Sequence, residues 1–242
     1  TGYPQAIRVL AYIFVRHILY VMVLESTGLR FCIDVESTGA LPGYLGPTLR
    51  GLFGYALKQT VCVTAHQCCD RCVLRSACSY PHIFEGLAPL GRSIMTRYPN
   101  VPQPFLLELP SPCSQAACSQ DLTWGLRLFG DAQGFAPYVL ESFIRSEANG
   151  LVREVCDIHT GNIVWNAQDQ EYVPPVRQVV PQRELPDKAC TIRWSFETPV
   201  HIRSARGMAP TPDGLTVLIS GRRRYQIKSY FYGQSSEVDH EN

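Results

Sequence analysis

Residues 41–86 constrain this chain more than any other stretch: LPGYLGPTLRGLFGYALKQTVCVTAHQCCDRCVLRSACSYPHIFEG. A Gly/Pro turn leads into an apolar segment, and the segment runs directly into a knot of cysteines. Pro47 suits a first helical turn, where its missing N–H is not needed. Leu49, Phe53, Ala56 and Leu57 fall at i, i+4, i+7 and i+8, one apolar helical face, while Arg50, Tyr55 and Lys58 point elsewhere. Gly51 and Gly54 lie inside this helix, and each costs it roughly 1 kcal/mol relative to alanine. Glycines so placed imply close approach, either of a packing neighbour or of a ligand.

Five of the ten cysteines belong to this stretch: Cys62, Cys68, Cys69, Cys72 and Cys78. Cys69 and Cys72 have the x-x spacing of a zinc knuckle, and Cys62 and Cys78 complete a four-sulfur set. Structural zinc is therefore one reading, and reduced, partly buried thiols are the other. Disulfides are a third, disfavoured by a flanking sequence that does not read as secreted.

The remaining chain alternates strand and helix patterns. In residues 29–36, Leu29, Phe31, Ile33 and Val35 alternate with polar side chains, a half-buried strand. Residues 88–119 are broken by six prolines and allow only short edge strands, such as 105–109. Leu122, Trp124, Leu126 and Leu128 line one face of a further strand. A helix over 135–148 follows, with its stop at Asn149 and Gly150. Residues 151–158 and 162–165 read as a hairpin turning at 159–161. The order is β-α-β-β-α-β, a ferredoxin-like unit of α+β class. Prolines at 174, 175, 181 and 186 mark a linker. The expected domains are 1–173, with a cysteine-rich insertion at about 62–86, a linker over 174–190, and a second, incomplete unit over 191–242. That second part opens on a strand at 191–197 and closes on a helix capped by Asp213 and running from Gly214 to about Tyr232. The apolar segment 6–24 is long enough to span a bilayer. Arg16 and His17 in its middle make it a packed strand or helix instead, so no membrane partner is expected.

A net charge of +1 excludes a uniformly basic nucleic-acid binder but leaves local patches. The clearest patch is Arg222, Arg223 and Arg224 with Lys228, interleaved with Tyr225, Tyr230, Phe231 and Tyr232. Arginine matches phosphate geometry and aromatic rings stack unpaired bases. The alternative is a solvated face near a helix C-terminus, where cations suit the dipole. Arg193, Arg203 and Arg206 extend the patch.

Several stretches, in order, resemble one family. They are LPGYLGPTLRGLFGYALKQTVCVT, then C-x-x-C-V-L-x-x-x-C-x-Y-x-x-I-F-E, then LRLFGDAQGFAPYVLESF, WSFETPVHIR and GLTVLISGRRRYQIKSYFYG. Together they resemble the RAMP-class endoribonucleases that process CRISPR precursor RNA, the sixth CRISPR-associated protein family, over roughly residues 29–233. The resemblance implies ferredoxin-like (RRM-like) units, often two in tandem, and a cytoplasmic protein. It implies metal-independent cleavage, with no cofactor required: a ribose 2′-hydroxyl attacks the adjacent phosphorus, leaving a 2′,3′-cyclic phosphate and a 5′-hydroxyl. Its implied partners are CRISPR repeat RNA, the crRNA product and other CRISPR effector subunits. A histidine on or just after the first helix, with tyrosine and lysine nearby, points to His66, Tyr44 and Lys58 as catalytic residues, with His82 second among the histidines. The RNA-binding set is Arg50, Arg193, Arg203, Arg222, Arg223, Arg224 and Lys228. The family's glycine-rich GxGxxxxxGxG loop, which follows the arginine helix, has no counterpart in these 242 residues. A RAMP subunit that binds guide RNA or scaffolds an effector complex without cutting is therefore the alternative.

Overall fold

A computed structural model describes residues 22–34, 44–64, 68–109, 121–145, 152–180, 196, 202–204, 207–208 and 213–235. Most of the expected segments 6–24 and 191–197, and residues His66, Arg193 and Arg206, lie outside that set. The chain divides into two compact units, one of residues 24–179 and one of residues 1–23 with 180–242.

β1 (Met22–Val23) belongs to the smaller unit. The larger unit starts with β2 (Glu25–Asp34) and α1 (Gly46–Val61). Next come β3 (Phe105–Glu108), β4 (Asp121–Phe129), α2 (Ala136–Arg145), β5 (Val152–Asp157), β6 (Ile163–Asn166) and β7 (Gln178–Val179). One antiparallel sheet has the order β3-β4-β2-β5-β6, with β7 also on β2. Taking β2, β3, β4 and β5 as the four strands of the motif, the spatial order is fourth, first, third, second. This is the ferredoxin-like arrangement: each helix carries the chain across the sheet, and β2 and β4 form its centre. β7 places a two-residue strand inside the stretch that reads as a linker.

The alternation in β2 and β4 predicts which side is covered, and the core follows it. Leu29, Phe31, Leu122, Trp124, Leu126 and Leu128 are buried with the α1 face Leu49, Phe53, Ala56 and Leu57. Phe31 stacks on Trp124 at 4.5 Å between ring centroids, and Phe53 stacks on Phe143 of α2 at 5.6 Å. Each such ring contributes about 1.5–3 kcal/mol by leaving water. The helices thus occupy one face of the sheet.

In the smaller unit, β1 pairs with β10 (Gln234–Ser235), and β8 (Arg203–Ser204) pairs with β9 (Gly207–Met208). Between them runs α3 (Gly214–Tyr232). Asp213 caps it as its sequence predicts, accepting a hydrogen bond from the Thr216 N–H at 2.6 Å. Its buried residues are only Gly214, Ser229 and Tyr232; Leu215 and Ile219 are more than half exposed. Among the described residues, no helix is long and apolar enough to cross a membrane.

Candidate functional site

α1 carries the first layer of the site. Arg50, Gly54 and Lys58 are spaced by four residues and so share one helical face. A Cβ on Gly54 would overlap the Phe84 ring, so the missing side chain is what admits that ring to the helix. Phe84 stacks between Tyr80 and Phe105, with centroids at 5.5 and 6.1 Å. The Arg50 guanidinium lies over Phe84 and Phe105 at 4.9 and 5.3 Å, and Lys58 Nζ lies 5.5 Å from the Tyr80 ring. A three-ring ladder is therefore capped by two cations from α1, an arrangement each ring face favours electrostatically. The close approach signalled by Gly54 is packing. Gly51 has open space around its Cβ position.

The ladder hangs on an unusual turn. Pro81–Glu85 forms one π-helical turn, closed at Gly86 with φ +69°. A side chain at Gly86 would run into the Val101 carbonyl, so only glycine fits. His82, on this turn, sits 3.2 Å from Asp131 through Nε2 and Oδ1. The hydrogen bond from His82 holds the Asp131 carboxyl below its ordinary 3.8. Arg75 reaches both Asp70 at 2.7 Å and Glu85 at 3.2 Å, tying the cysteine loop to the turn.

Beyond the C-terminus of α1 opens a cleft of about 410 Å3, lined by Lys58, Cys62, Thr64, Cys69, Cys72 and Cys78 among others, with Phe135 and Tyr138 opposite. Cys62 ends α1 as its C-cap, and Cys69–Arg71 forms one 3-10 turn. The Thr64 hydroxyl lies 3.9 Å from Cys62 Sγ and 3.7 Å from Cys72 Sγ. Burial raises the Cys69 thiol pKa, opposed by the neighbouring Lys58 ammonium. Cys68 is exposed and is not part of the lining.

Of the catalytic residues expected from sequence, Lys58 lines the cleft. Tyr44 lies exposed two residues before the start of α1, and from Gly46 to Lys58 the helix rises about 18 Å. The structure does not bring the two together. Arg50 is packed on rings. Arg222, Arg223 and Arg224 are exposed on α3, and Lys228 is partly buried one turn beyond Arg224. Burial first, and Arg224 second, lower the Lys228 pKa to about 8. Arg203 lies in β8.

Sequence reading missed a polar group on the sheet face opposite the helices. Arg127 of β4 pairs with Glu108 of β3 and lies 3.3 Å from His159 Nε2; Ser26 Oγ is 3.5 Å from the same nitrogen. His159 stands alone in the sequence, and only strand pairing brings it to Arg127.

A family model described as an N-terminal domain, AF_1859_N, matches residues 24–189. The match covers well over half of the chain and begins on the first residue of the larger unit. The chain belongs to the AF_1859_N family. No curated protein and no solved structure matches it.

The AF_1859_N match contains the aromatic ladder, the cysteine-lined cleft, the His82–Asp131 pair and the Arg127–His159 group. The helix bearing Arg222, Arg223 and Arg224 lies beyond it.

Proposed function

We propose that this AF_1859_N chain is a RAMP-type endoribonuclease that binds CRISPR repeat RNA, cleaves it by attack of a ribose 2′-hydroxyl and retains the product. The observation that carries this reading is α3. Three consecutive arginines stand exposed on a 19-residue helix whose buried residues are only Gly214, Ser229 and Tyr232. A phosphate backbone complements the three adjacent guanidinium groups in charge and geometry. The ferredoxin-like topology of the larger unit supports the same class, since the family it resembles is built from such units.

In this reading His66 takes the 2′ proton and, as imidazolium, gives a proton to the departing 5′ oxygen, while the ammonium of Lys58 offsets charge on the phosphorane-like intermediate. His66 follows α1 by five residues, and Thr64 and Cys69 on either side of it line the cleft with Lys58.

The test is cleavage of a CRISPR repeat RNA in EDTA. Products ending in a 2′,3′-cyclic phosphate and a 5′-hydroxyl are expected. His66→Ala is expected to slow cutting by about 100- to 10,000-fold with RNA affinity retained. Replacing Arg222, Arg223 and Arg224 by alanine should weaken RNA binding and flatten its salt dependence by up to about three phosphate contacts. RNA binding without any cutting would replace the endoribonuclease by the non-cleaving RAMP subunit. No binding to repeat RNA at low salt would end both readings.

A further inference from the structure

We propose that Cys62, Cys69, Cys72 and Cys78 bind one zinc ion as a structural tetrathiolate site that fastens the cysteine loop to the end of α1. This site stands whether or not the chain binds or cuts RNA, and the metal takes no part in either.

The loop needs a fastening that its packing does not supply. From Cys62 to Ser79 none of the described residues is buried, and Val63 and Val73 are more than four-fifths exposed. Its regular structure is a three-residue 3-10 turn followed by hydrogen-bonded turns, Arg75 N–H to Cys72 O and Ala77 N–H to Leu74 O. Beyond the ion pairs of Arg75 with Asp70 and Glu85, such a segment gains from a metal cross-link, because burial contributes little to its ordering.

The thiols are distributed as a metal site requires. Four of the five cysteines in the stretch line one cleft, and the fifth, Cys68, faces solvent. Two ligands come from the 3-10 turn, where Cys72 N–H bonds to Cys69 O at 3.2 Å. One comes from the α1 C-cap and one from the segment entering the π-helical turn. Cys62 and Cys72 share the Thr64 hydroxyl, while Cys69 lies beside Cys78 and Lys58. Among the described residues no three such side chains converge on one point, so binding draws the sulfurs inward and displaces the Thr64 hydroxyl from between two of them. Zinc carrying four thiolates has a net charge of −2, and the Lys58 ammonium at the cleft wall opposes it.

Metal analysis of the full-length protein, isolated in reductant without chelator, tests the proposal. About one zinc per chain is expected, as for a tetrahedral structural site. Cys72→Ser and Cys78→Ser should each lower that content at least several-fold, whereas Cys68→Ser leaves it unchanged. If those variants do not fold, the metal-stripped wild-type chain is titrated with Co2+. The intense visible bands and thiolate charge-transfer of a tetrahedral sulfur site should appear at one equivalent, and zinc should abolish them. Absence of bound metal together with a featureless cobalt titration overturns the proposal. So does a disulfide among these four cysteines, or alkylation of all four as fast as Cys68 in the native, reduced protein.

Discussion

Asp157 shows how much a single side chain fixes in this unit. It is only 2% exposed, yet its carboxylate accepts hydrogen bonds from the backbone N–H groups of His159, Thr160 and Val176. The first two close the β5–β6 turn. The third straps the chain that leads into β7. Asp157→Ala removes the charged acceptor of three part-buried backbone bonds and is expected to cost about 1.5–3 kcal/mol, read as a lower urea midpoint with an unchanged slope. Two glycines on α1 should respond in opposite directions. Gly51→Ala enters open space and should stabilise by up to about 1 kcal/mol through helix propensity. Gly54→Ala collides with the Phe84 ring and should destabilise by about 1–3 kcal/mol. Thermal melts of the two variants distinguish these outcomes. If both stabilise, Phe84 does not rest on Gly54.

At the scale of an element, α3 is the helix most shaped by charge. Lys228 falls from 10.5 in an open chain to about 8 in the fold. Between those values the unfolded chain holds a proton that the folded chain has released, so this lysine's contribution to stability rises with pH across that window. Below pH 8 the lysine is charged in both states and its penalty is fully present. Arg224→Gln removes the like charge and is expected to raise the Lys228 pKa, though not to 10.5, because burial is the larger cause. The ε-CH2 NMR shift of Lys228 through a pH titration measures this directly. Addition of short repeat RNA should move the same titration upward if the helix binds phosphate, and leave it in place if it does not. The sequence made the extent of α3 and its Asp213 cap legible, because capping and helical periodicity involve residues within a few positions of each other. It did not disclose that Leu215 and Ile219 stand exposed, since that depends on what packs against the helix.

Across the whole molecule, the apolar cluster that unites sheet and helices runs from Leu29 to Trp165, entirely inside residues 24–179. A chain of residues 24–179 is therefore expected to fold alone with one cooperative transition and a dispersed amide spectrum. A collapsed spectrum with poor dispersion would show that the smaller unit is needed to complete it. The β-α-β-β-α-β order was legible because alternation and helical spacing mark each element, and few sheet orders suit that sequence of elements. The pairing of β7 with β2 was not, because two residues carry no periodicity.

The amino-acid order by itself determined which faces of β2, β4 and α1 would be buried and where α3 begins. These properties repeat every two to four residues and need no distant partner. Only the tertiary structure decided that Gly54 admits Phe84, that Arg50 and Lys58 cap a ring ladder, and that Arg127 meets His159. Each depends on residues more than twenty positions apart meeting, and that meeting is set by the packing of sheet and helices.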